Sequence, residues 1–66
     1  MTLTLNGELR RLDGVRDVAA LVRLLGLDPR KVAVERNLAI VPRSAYAATP
    51  LAEGDRIEIV HFVGGG

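Results

Sequence analysis

The stretch Asp17-Val18-Ala19-Ala20-Leu21-Val22-Arg23-Leu24-Leu25-Gly26 carries the helical periodicity of the chain. Val18, Leu21, Val22 and Leu25 recur at i, i+3, i+4 and i+7, one apolar stripe along a helix. Asp17 stands where an N-cap belongs, its carboxylate able to accept from exposed helix amides. Gly26 supplies the C-terminal stop, and Asp28-Pro29 prevents continuation. A helix of about nine residues is too short to persist alone in water. It needs a sheet to lie on.

Both flanks offer one. Thr2-Leu3-Thr4-Leu5 alternates polar and apolar, and Asn6-Gly7 follows as the strongest short hairpin signal. Glu8 to Leu12 then returns antiparallel, although Leu9 and Leu12 break strict alternation and call for a bulge or an early strand end. Beyond the helix, Lys31 to Glu35 is nearly apolar on both faces and reads as an internal strand. Arg36-Asn37 forms a turn, and Leu38 to Val41 returns as a short strand closed by Pro42. Ser44 to Ala48 suits one short helical turn, Glu53-Gly54-Asp55 a tight turn, and Arg56 to Phe62 the last strand. The order strand, strand, helix, strand, strand, strand gives an α+β domain. Its economical packing is a mixed sheet with one main helix across one face and a parallel right-handed crossover. That is the β-grasp, or ubiquitin-like, arrangement. Its expected core combines the helical stripe with Leu3, Leu5, Val32, Val34, Leu51, Ile57 and Ile59.

At 66 residues and 7.1 kDa, residues 1–66 make a single domain with a Gly tail at 64–66. Such a chain buries only about 60% of its unfolded surface, so each apolar position matters. With 48% hydrophobic and 26% charged residues, the composition is that of a folded protein. Cysteine is absent and His61 is the only histidine, which removes thiol nucleophiles and His/Cys zinc sites. Nine basic residues against eight acidic ones leave a net charge of +1. Neither nucleic acid nor an anionic membrane is favoured by that balance. No apolar run approaches the ~20 residues of a bilayer span. The N-terminal segment lacks the basic and apolar regions of a signal peptide, so the expected location is cytoplasmic.

The inventory for catalysis is thin. No glycine-rich phosphate loop is present, Ser44 has no base within its own segment, and the acidic side chains are dispersed through turns. The doublets Arg10-Arg11 and Arg30-Lys31 are too small for a nucleic-acid footprint. Catalytic residues, metal ligands and cofactors are therefore all expected to be none.

Two features stand apart. In the last strand Ile57 and Ile59 share one face, yet Val60 and Phe62 fall on the face of Arg56 and Glu58. Either a bulge resets the register, or two apolar side chains meet water beside the tail, where Val60, His61 and Phe62 would dock a partner. The second feature is Gly64-Gly65-Gly66. One reading is a frayed end or an expression scar. The other is an arm that threads a channel too narrow for any side chain and delivers the Gly66 carboxylate. That group is an ionised, poor electrophile until another enzyme attaches a leaving group such as AMP.

The tail and element order, together with Val34 to Arg43, Glu53-Gly54-Asp55 and His61 to Gly66, resemble the ThiS family of bacterial sulfur carriers in thiamine biosynthesis. The likeness spans essentially the whole chain and is strongest from Val32 to Gly66. It implies that an E1-like adenylyltransferase (ThiF-type) converts the Gly66 carboxylate into an acyl adenylate. Sulfur originating from cysteine through a desulfurase then displaces AMP and leaves a thiocarboxylate. A thiazole synthase (ThiG-type) takes that sulfur into its ring. Gly65-Gly66 match the family motif, Gly66 bearing the sulfur, and Gly64 extends the arm. The small subunit of molybdopterin synthase, a protein modifier acting through Gly66, and a β-grasp interaction module remain as alternatives.

Overall fold

The structure, a computed structural model, describes residues 1–62. Strands β1 (Thr2–Leu5) and β2 (Glu8–Arg11) form the expected hairpin, from Thr2 opposite Arg11 to Leu5 opposite Glu8. Asn6 and Gly7 take φ of 49° and 82°, the left-handed pair of a type I′ turn. No bulge interrupts this ladder. The strand ends at Arg11 and Leu12 drops into the core beyond it, its N–H donating to the Met1 carbonyl at 2.8 Å. Leu9 is left on an exposed edge.

Helix α1 (Val18–Leu24) is seven residues long, shorter than the apolar stripe suggests. The Ala20 N–H donates to Asp17 Oδ1 at 2.8 Å, and Gly26 at φ 71° ends the helix. Val18, Leu21 and Val22 are fully enclosed, whereas Leu25 is the C-cap and only half-buried. Leu25 packs against the edge of the core rather than within it. Asp28 caps a 3-10 turn at Pro29–Lys31, which leads into β3 (Val32–Arg36).

The next turn differs from expectation by one residue. Asn37 and Leu38 form it, at φ 51° and 71°, so β4 is only Ala39–Val41. Pairing Arg36 with Ala39 leaves these two residues for the loop, and Leu38 is forced into a conformation that a bulky residue seldom adopts. A 3-10 segment follows at Arg43–Ala48, burying Tyr46, whose hydroxyl donates to the Val32 carbonyl at 3.3 Å. The last strand is β5 (Arg56–His61).

The five strands lie in the order β2-β1-β5-β3-β4. β1 and β5 run parallel, and the other neighbours are antiparallel. The sheet is therefore mixed, as expected, with its last strand at the centre. Leu3, Leu5, Val32, Val34, Leu51, Ile57 and Ile59 are all buried in one core with the helix. Leu12, Val15, Val41 and Tyr46 join them. Among the described residues no helix is long and apolar enough to cross a membrane.

Candidate functional site

The face that β5 turns away from the core follows from its pairing. From Ile57 opposite Arg36 to His61 opposite Val32, the antiparallel register with β3 is unbroken. No bulge rescues Val60 and Phe62, so alternation sends them outward, 59% and 46% exposed. Of the two outcomes the sequence left open, it is the apolar pair in water.

The outward face is broader than the pair. Ala33 lies opposite Val60 on β3, and Ile40 on β4 lies opposite Glu35, 70% exposed on that same face. Glu35 in turn lies opposite Glu58. An apolar surface thus runs from Ile40 past Ala33 to Val60 and Phe62, with two carboxylates set within it. Exposed apolar groups gathered on one sheet face are the usual mark of a docking surface. Ile40 is the member that sequence reasoning did not single out. Its signal was the alternation with Val41, whose place in the core fixes the face of Ile40.

His61 belongs elsewhere. Its partner Val32 is a core residue, so His61 projects from the opposite face, where it is exposed. The strand brings Val60 and Phe62 together and sets His61 apart from them.

The segment before β3 is tied to the end of β5 through its backbone. The Phe62 N–H donates to the Lys31 carbonyl at 2.7 Å, and Arg43 Nη2 donates to the Arg30 carbonyl at 3.1 Å. Arg30 also grips Asp28 through Nε to Oδ1 at 3.2 Å and Nη2 to Oδ2 at 3.0 Å. The side-chain bond from Arg30 holds the Asp28 carboxyl down to about 2. Among the described residues no cluster of three or more His, Asp or Glu side chains could hold a metal. An open, mainly apolar depression of about 300 Å³, lined by Ala19, Val22, Arg23, Leu27 and Pro29, includes none of the candidate docking residues Val60, His61 and Phe62. Gly64, Gly65 and Gly66 lie outside the described residues.

A small mixed sheet under one helix, with its central last strand leading to the glycines, defines a ubiquitin-like β-grasp protein. The crystal structure of a thiamine biosynthesis protein, ThiS, from Geobacter metallireducens superposes with a TM-score of 0.84 at 36% identity, covering the whole of both chains. Sulfur carrier protein ThiS of Bacillus subtilis is 50% identical over 40 residues, 61% of each chain. A thiazole synthase of Paramagnetospirillum magneticum is 54% identical over all 66 residues. Another, from Magnetococcus marinus, is 48% identical over the same length. The chain spans about a fifth of those two synthases, 20% of each. The ThiS family profile matches residues 3–66, and the chain belongs to the ThiS family.

Proposed function

We propose that this protein carries sulfur for thiamine biosynthesis on the carboxyl group of Gly66. The carboxylate attacks the α-phosphate of ATP on a ThiF-type, E1-like adenylyltransferase, forming an acyl adenylate and releasing pyrophosphate. The outer sulfur of a persulfide, drawn from cysteine by a desulfurase, displaces AMP, so the carbonyl carbon exchanges its C–O bond to AMP for a C–S bond. A thiol reductant then cleaves the S–S bond of this acyl disulfide and is itself oxidised to a disulfide. The resulting thiocarboxylate is a nucleophile held covalently, so sulfur reaches a ThiG-type thiazole synthase without release as free sulfide. In this scheme the chain is a cosubstrate rather than an enzyme, and its setting is the cytoplasm.

Membership of the ThiS family over residues 3–66 is the observation that carries this reading. The likeness to two thiazole synthases favours thiazole synthase over molybdopterin synthase as the acceptor. The exposed Val60 and Phe62 supply a surface beside the arm on which both partners can dock.

Intact mass spectrometry tests it. With ATP, Mg²⁺, a ThiF-type enzyme, a cysteine desulfurase, cysteine and a thiol reductant, the chain should gain the mass difference between one sulfur and one oxygen. Deleting Gly66 should abolish that gain without unfolding the domain. An unchanged mass overturns the reading, and covalent attachment to lysines of other proteins replaces it with the modifier reading.

A further inference from the structure

β1 and β5 run side by side only briefly, with Thr4 opposite Arg56 and Leu5 opposite Ile57. β1 then turns away at Asn6, while β5 continues to His61. The Asn6 backbone N–H makes the last main-chain bond of this pair, to the Ile57 carbonyl at 2.9 Å. Its side chain goes one step further. Oδ1 accepts from the Ile59 N–H at 2.8 Å, and Nδ2 donates to the Ile59 carbonyl at 3.3 Å. A carboxamide has the donor and acceptor of a peptide unit, and here it satisfies both groups of one residue as a neighbouring strand would.

Beyond that point β5 is held differently. Phe62 bonds to Lys31 on the β3 side, and among the described residues no strand lies on its other side. Asn6 therefore marks where the two-sided strand ends and the segment bearing Val60 and Phe62 begins. We infer that Asn6 is a positioning residue for sulfur transfer: its side chain acts as a surrogate strand on Ile59 and fixes the direction in which β5 leads toward Gly66. This role rests on the sulfur-carrier reading above. Reaction at Gly66 depends on how narrowly the strand that precedes it is held, because each added freedom lowers the fraction of productive approaches. Asn6 touches no reacting atom, so its effect comes through β5 alone.

Asn6→Gly tests this in the full chain, because glycine keeps the left-handed turn at φ 49° and removes only the carboxamide. Amide hydrogen exchange should quicken at Ile59 by roughly tenfold or more, with distant core amides far less affected. Thiocarboxylate formation should slow severalfold through kcat, with KM nearly unchanged because Val60 and Phe62 remain in place. Asn6→Asp keeps the acceptor for the Ile59 N–H and loses the donor, so it should restore part of both losses. Unchanged exchange at Ile59 overturns the clamp. Faster exchange with an unchanged kcat, in a chain whose parent accepts sulfur, overturns the positioning role alone. A parent chain that accepts no sulfur defeats the sulfur-carrier reading and the positioning role with it, while the exchange data still report on the clamp.

Discussion

Arg36 and Asp55 meet in a two-point contact, Nε to Oδ2 at 2.8 Å and Nη2 to Oδ1 at 3.3 Å, that ties the end of β3 to the entry of β5. Asp55 is the one buried charged residue among those described, and its carboxylate also accepts from Asn37 Nδ2 at 3.0 Å and the Ala52 N–H at 2.8 Å. Replacing it with Ala leaves several donors without their acceptor. Because Arg36 stays partly open to water, Asp55→Ala should cost about 2–3 kcal/mol, below the range for a fully enclosed pair. Urea denaturation of the variant against the parent measures it.

The same carboxylate gives the fold an acid dependence. Burial pushes the Asp55 carboxyl up, but hydrogen bonds from Arg36, Asn37 and Ala52 outweigh it and hold the group below its ordinary value. A folded-state value below the unfolded one means the stabilisation is complete above the unfolded carboxylate pKa, about 3.9. It is lost as pH falls from there through the folded value. Stability from Asp55 should therefore be flat from neutral pH to about pH 5 and decline below about pH 4. Denaturation curves across that range should show a shallower acid decline in Asp55→Ala than in the parent.

Leu21 is fully enclosed between helix and sheet. Truncation to Ala removes its contacts and leaves a cavity, at a cost of about 2–5 kcal/mol. For a domain this small that is a large part of the total, so the variant should be partly unfolded at moderate temperature. Circular dichroism during heating checks it.

Leu38 offers the opposite change. It sits at φ 71° with its side chain 71% exposed, so little packing offsets the backbone cost. Leu38→Gly should relieve part of the roughly 1–2 kcal/mol of left-handed strain, less the entropy that glycine adds to the unfolded chain. A rise of a few degrees in Tm is expected by calorimetry, and a fall would show that the turn is not strained.

Phe62→Asp separates docking from folding. With Phe62 nearly half exposed beyond the last strand residue, the substitution should leave Tm almost unchanged. Loss of its burial at a partner corresponds to about 1.5–3 kcal/mol, roughly ten- to a hundredfold in affinity for the adenylyltransferase. Ile40→Asp should act in the same direction if the partner covers the whole face. Titration calorimetry on both variants reads the size of the footprint.

Much of this architecture was legible because the strong signals were local. Asn6-Gly7, the helical stripe with Asp17 and Gly26, and the alternation through Ile57 and Ile59 each carry their own physics in a few residues. What escaped depended on partners far along the chain. The shift of the second turn to Asn37-Leu38 follows from pairing Arg36 with Ala39, which nothing within the segment dictates. Tyr46 enters the core because the Val32 carbonyl awaits its hydroxyl. The exposure of Val60 and Phe62 needed the register with β3, since parity alone admitted a bulge. Ile40 and His61 were by contrast readable from alternation alone, Ile40 against Val41 and His61 with Ile57 and Ile59. The clamp from Asn6 to Ile59 spans two segments that only the parallel pairing brings together.

The central place of β5 also has a consequence for how the protein comes into being. The β1–β2 and β3–β4 hairpins can each form from neighbouring residues, but neither has a flank to pair with until residues 56–61 insert between them. Contacts so distant in sequence slow folding and make it cooperative. A chain that stops before Arg56 leaves both hairpins without the strand that joins them. Only a chain made past its final strand can close the sheet. The pool of folded molecules is thereby screened for those that possess the strand leading to the glycines, with no separate inspection step.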